Sequence, residues 1–152
     1  VHGIHADRAF VHRAADGAYR QSNGRSWIGP PALLFGDLLV EQLRAAYGDD
    51  SVFAPQARIS GDLSLRTQLR RLERVQGAQA GDQALLAIEF VLSGRGGALL
   101  GSRVFEASLP AGSGAADYVA AQSQLLDQAV AALLPVVDQA LVAAAAARTS
   151  PR

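Results

Sequence analysis

The side chains of this 152-residue chain that could do acid–base or metal chemistry are three histidines, four glutamates and a scatter of aspartates, so their spacing decides what chemistry is open. His2 and His5 have the separation of a weak metal pair. They sit at a terminus with only Asp7 as a nearby third ligand, which reads as surface chain rather than a metal centre. His12 lies inside an alternating stretch and reads as an ordinary strand residue. Asp49 and Asp50 could begin a calcium site, yet the remaining oxygen ligands of a calcium loop do not follow, and a solvated turn is the simpler reading. Gly94-Arg95-Gly96-Gly97 has the composition of a phosphate-cradling loop, but it joins two strand patterns, opens no helix and lacks a following Lys-Ser/Thr. It reads as a hairpin turn. Nucleophilic catalysis has no footing, because there is no cysteine and no Gly-x-Ser-x-Gly. Glu89 and Glu106 fall on neighbouring strand patterns where they could approach each other, and cross-strand pairing with Arg103 accounts for them without catalysis. The chain is expected to be no enzyme and to hold no metal and no cofactor.

The densest basic cluster is Arg66, Arg70, Arg71 and Arg74. On a strand, Arg66, Arg70 and Arg74 are expected to share one side, a candidate basic face for an acidic partner or a lipid phosphate. A solvated sheet face whose charges discourage edge pairing is the competing reading. Over the whole chain fourteen arginines balance fourteen carboxylates and the net charge is zero. A duplex phosphate backbone or an anionic bilayer is therefore disfavoured as the main partner. With no aromatic interleaved among the clustered arginines, nucleic-acid binding is not expected.

A fold must position these residues. At about 100–200 residues per domain the length gives one domain, 1–152, with 1–8 expected as a flexible N-terminal segment and 141–152 as a loose C-terminal tail. Residues 9–13 are a short strand candidate joined across Asp16-Gly17 to residues 18–21, and Ser22-Asn23-Gly24 marks a further turn. Residues 32–47 space Phe35, Leu39, Leu43 and Tyr47 four apart, the stripe of an amphipathic helix, with Pro31 at its start and Gly48 at its stop. Val52-Phe53-Ala54-Pro55 fits a brief edge strand. From Leu63 to Leu69 apolar and polar residues alternate as in a half-buried strand, and the phase breaks at Arg71-Leu72, where a bulge or strand end is expected. A helix through Leu65, Leu69 and Leu72 is the competing reading. Leu86, Ile88, Phe90 and Leu92 mark the strongest strand, followed by the glycine turn and a partner strand with Phe105, Ala107 and Leu109 on one face.

Residues 117–147 read as a helix striped by Tyr118, Leu125, Ala129, Leu133, Val136 and Ala140, which Pro135 is expected to kink or break. Pro135, Asp138 and Gln139 interrupt its most apolar stretch, whereas a spanning helix needs about 20 apolar residues, so the chain reads as soluble. The order of elements gives an α+β fold: a two-layer sandwich, mostly antiparallel sheet with two helices packed on one face.

Several stretches are similar to a known family. Ser26-Trp27-Ile28-Gly29-Pro30-Pro31-Ala32-Leu33-Leu34 leads into the first helix. Val52-Phe53-Ala54-Pro55 and the charged strand from Leu63 follow. Then come the hairpin ending in Ser102-Arg103-Val104-Phe105 and Asp117-Tyr118-Val119-Ala120-Ala121-Gln122-Ser123 at the head of the last helix. Together, over residues 9–140, they resemble the bacterial ABC-type transport auxiliary lipoprotein family. The Trp followed by Pro, and the Asp-Tyr then Ala-x-Ser pattern, are the most specific elements.

The resemblance implies a non-catalytic periplasmic subunit of an ABC-type, mammalian-cell-entry lipid transport system, as in the paraquat-inducible pathway. Its implied partners are the ABC permease complex and a mammalian-cell-entry domain protein. It also implies a homo-oligomer, and attachment to a membrane, the outer one, through an acylated cysteine upstream of Val1. With no Met in the chain, Val1 is expected not to be the native start. Trp27, Ile28 and Pro30 are then the candidate oligomer or partner contact, with a Trp27 that caps the sheet as a core residue as the equal alternative. The alternative family reading is an outer-membrane assembly lipoprotein of the lipopolysaccharide-export type, which has a similar order of helices and strands.

Overall fold

The computed structural model describes residues 8–57, 59, 61–77 and 81–149. The chain enters through β1 (Ala9–Arg13), turns at Asp16-Gly17 and returns as β2 (Tyr19–Ser26). The Asp16 carboxylate accepts from the Ala18 N–H at 2.9 Å and from Arg20 at 3.0 Å, and Gly17 adopts φ +82°, a value glycine reaches without a Cβ clash. Ser22-Asn23-Gly24 is not a second turn. β2 continues through it, and residues 22–25 bulge between the pairs Val11↔Gln21 and Ala9↔Ser26, four residues opposite the single Phe10. Gly24, at φ +74°, permits that bulge.

The first helix, α1 (Pro31–Tyr47), starts with proline in the turn where its missing N–H leaves no bond unmade, and ends where the Gly48 N–H returns to the Arg44 carbonyl at 2.8 Å. Leu39 and Leu43 are buried, with Phe35 and Tyr47 partly so, as their four-residue spacing requires. The edge strand expected at 52–55 is absent. Short 3₁₀ turns at Asp49–Ser51 and Pro55–Ala57 flank that stretch, and the Val52 carbonyl accepts from Arg44 Nε at 3.2 Å instead of a neighbouring strand.

Three long antiparallel strands follow: β3 (Leu63–Val75), β4 (Gln83–Gly94) and β5 (Leu99–Pro110). The end of β3 also pairs in parallel with β1, giving one five-stranded sheet in the order β2-β1-β3-β4-β5. The helical alternative for 65–72 is thereby excluded, and the bulge lies where the phase breaks, between Leu69 and Arg71. In β4 the even positions Ala84, Leu86, Ile88, Phe90 and Leu92 are all buried. β5 sets Phe105, Ala107 and Leu109 opposite Ile88, Leu86 and Ala84 on the same face.

That face is covered by the second helix, α2 (Ala115–Thr149), which buries Tyr118, Ala121, Gln122, Leu125, Leu126, Ala129, Val130, Leu133, Val137 and Ala140. Gly101 lets the helix come close to β5: a Cβ there would stand 3.1 Å from Val136 Cγ1. Pro135 does not break the helix. It is exposed, as is Ala131, whose carbonyl it deprives of a donor, so water can take that carbonyl. The helix also runs through residues 141–149, where a loose tail was expected. Arg148 pairs with Asp62 at 2.8 Å, and Asp62 takes Arg95 of the β4–β5 turn at 2.8 Å as well.

By length and composition alone α2 could cross a bilayer; here one side of it is buried against the sheet. Two polar ties fasten α1 to α2: Gln42 Nε2 donates to Asp127 at 2.7 Å, and the Tyr47 hydroxyl donates to Asp138 at 2.8 Å. Burial, then the hydrogen bond and charge of Asp138, push the Tyr47 phenol up to about 12. Residues 1–7, including His2 and His5, and 150–152 lie outside the described residues.

Candidate functional site

The segment between β2 and α1 divides its side chains between core and solvent. Trp27 turns inward. Its backbone N–H donates to the Arg8 carbonyl at 2.7 Å, and its ring lies 4.6 Å from Phe10 and 6.3 Å from Tyr118, centroid to centroid. The three rings close the core between β1 and the head of α2, where burial pushes the Tyr118 phenol well above its ordinary value. Ile28 turns outward and is 88 % exposed, and Leu33, five residues on, is 64 % exposed. Pro30 stands half-buried at the helix cap and accepts from the Leu33 and Leu34 N–H groups. Fully burying a side chain such as Ile28 or Leu33 contributes about 1.5–3 kcal/mol, so the head of α1 presents an apolar surface with energy to gain from a partner. Phe53 and Leu38 are also exposed.

The expected basic face does not assemble. Arg66 and Arg70 lie on the uncovered side of the sheet, opposite Val91 and beside Glu89, but the bulge at Leu69/Arg71 shifts the phase. It brings Arg71 to the uncovered side and carries Arg74 to the side of Ala84 and the helices. Carboxylates take most of the charge. Arg70 donates twice to Glu89 Oε2, at 2.7 and 3.1 Å. Arg71 bridges Glu73 and Glu106, and Arg13 reaches Glu73 at 3.5 Å. Glu73 is completely buried between these two arginines, on a face no helix covers. Burial alone would lower the Arg71 pKa; the hydrogen bond and charge of Glu73, with Tyr19 and Glu106, raise it instead. Glu89 and Glu106 are therefore paired across strands, but with arginines of β3. Arg103 lies opposite Phe90, on the helix-covered side.

Other sequence candidates resolve simply. Gly94–Gly97 is the hairpin turn, closed by Gly94 N–H to the Ala98 carbonyl at 2.8 Å. Asp49 and Asp50 are exposed in a 3₁₀ turn. Among the described residues no three His, Asp or Glu side chains converge on a metal-sized site. A slit between α1 and the sheet, lined by Phe35, Leu39, Leu69, Phe90 and Leu126, has a volume of about 50 Å³, against the ~300–1,000 Å³ typical of ligand pockets. It cannot house a lipid chain as it stands. The polar recess around His12 and Arg25 was missed, because its residues come from separate segments and His12 read alone is an ordinary strand residue.

A five-stranded sheet carrying two helices on one face defines an α+β class with solved counterparts. A crystal structure of a Xanthomonas campestris protein aligns with a TM-score of 0.73 at 22 % identity, covering 86 % of this chain and 74 % of the other. A crystal structure of an uncharacterized protein aligns with a TM-score of 0.68 at 20 % identity, covering 88 % and 83 %. No curated protein is significantly similar to the chain. The model of the ABC-type transport auxiliary lipoprotein component family matches residues 6–133, and the chain belongs to that family.

Proposed function

We propose that the protein is a non-catalytic auxiliary subunit of an ABC-type lipid transport system of the mammalian-cell-entry kind, working as a homo-oligomer in the periplasm. Family membership carries this reading. Three features of the chain support its parts. The exposed Ile28 and Leu33, beside Pro30 and the partly buried Trp27, offer an apolar contact for a second copy or a partner subunit. Glu73, Glu89 and Glu106 are each engaged by arginine, which favours a structural over a catalytic role for them. The most apolar helix has its buried stripe committed to the sheet, so attachment to the outer membrane falls to acyl chains upstream of Val1, each buried methylene contributing about 0.8 kcal/mol.

The test is affinity purification of the full-length protein from cell envelopes after mild cross-linking. A mammalian-cell-entry domain protein and the permease should be recovered with it, and Ile28→Asp should reduce that recovery. Recovery of lipopolysaccharide-export components in their place would refute the reading.

A further inference from the structure

The bulge of β2 builds something the sheet itself does not need. It opens a polar recess of about 330 Å³ at the end of the sheet where β1 and β3 finish and α2 begins, within the ~300–1,000 Å³ range of ligand sites. Ser22 and Arg25 come from the bulge, His12 from β1, Arg74 from β3, and Asp82 and Ser113 from the connections around β4 and α2. The one carboxylate in this lining is already committed: Arg74 Nε donates to Asp82 at 2.7 Å, and the same guanidinium donates to the Gly112 carbonyl at 2.6 Å. The Arg25 side chain has no hydrogen bond or ion pair with another described residue. Two guanidinium groups against one carboxylate leave the recess with a net positive charge, and the Ser22 hydroxyl stands 3.4 Å from His12 Nδ1 beside it.

From this arrangement we infer an oxyanion site that takes a phosphate group. A bulge re-aims side chains out of the pleat, and here the left-handed Gly24 turns Ser22 and Arg25 into the same recess as His12. Arg25 supplies a planar fork suited to two phosphate oxygens, and the Ser113 hydroxyl and the hydrogen-bonded Ser22–His12 pair each supply a single donor from other sides. The N-terminus of α2 is not required, because the Asp117 carboxylate already accepts the Gly114 N–H at 3.3 Å. The phosphate belongs either to a soluble phosphoester or to a phospholipid headgroup.

Calorimetric titration of the protein with inorganic phosphate tests the inference. The wild-type protein should bind, Arg25→Ala should lower the affinity at least about tenfold, and its melting temperature without phosphate should stay unchanged because Arg25 supports no described neighbour. Arg66→Ala, an exposed arginine outside the recess, should bind like wild type. Competition by phosphatidylglycerol vesicles, but not phosphatidylcholine vesicles, identifies a lipid headgroup as the source; absence of competition identifies a soluble phosphoester. No phosphate binding, or equal loss in Arg25→Ala and Arg66→Ala, overturns the assignment.

Discussion

The two faces of the sheet solve the same problem in opposite ways. On the covered face Ala84, Leu86, Ile88, Phe90 and Leu92 meet the stripe of α2, and water is excluded by apolar packing. On the uncovered face Val11 and Ala87 are buried without a helix above them, because Arg13, Glu73, Arg71 and Glu106 lie across the strands as an alternating row of charge. The arginine stems cover apolar surface while their heads stay partly wet. The difference teaches that a net charge of zero says little about where charge sits: on the uncovered face arginines and glutamates cancel locally, while Arg25 has no ion pair with another described residue.

The comparison is broken most strongly on the covered side. Phe90→Ala should cost about 3–5 kcal/mol, a fall in melting temperature of order 10 °C for a domain of this size, measured by thermal denaturation. A loss under ~1 kcal/mol would mean that the packing under α2 carries little of the stability. On the uncovered side Glu73→Ala leaves two arginines without their shared partner. Both reach water, so the expected cost is about 2–3 kcal/mol, below the ~3–5 kcal/mol of a fully buried pair. Urea titration checks it, and a neutral result would show that the row is a passive cover.

The seam between the helices comes next. Tyr47→Phe should cost about 1 kcal/mol, one hydrogen bond. Because the folded pKa of Tyr47 is raised from 10 to about 12, its contribution is complete below pH 10 and disappears as pH rises through 12. The variant should therefore show a shallower loss of stability across that window, and identical alkaline profiles would dismiss the tie. The smallest effect is expected for Arg70→Ala, whose partner pair is half-exposed: about 0–1 kcal/mol, shrinking further in high salt.

Much of the covered face could be read from the sequence, because burial leaves a periodic trace: the even positions of β4 are all buried, and the stripes of α1 and α2 are buried except for Phe35, Tyr47 and Val136, which are partly so. The uncovered face was harder. The phase break at Arg71-Leu72 announced the bulge, but its effect on Arg74 depends on how pairing resumes, and the partners of Glu89 and Glu106 come from β3, whose register is a tertiary property. Ser22-Asn23-Gly24 has turn composition, yet pairing with β1 on both sides holds it within a strand. The recess at Arg25 left no local signature, since five separate segments build it.

The proposed assembly rests on the apolar head of α1. Sedimentation at tens of micromolar measures it directly: the 15.9 kDa chain should run as a multiple of that mass, and Ile28→Asp, with an unchanged melting temperature, should shift it towards the monomer. A wild-type protein that remains at 15.9 kDa under these conditions would contradict the homo-oligomer and the role given to Ile28.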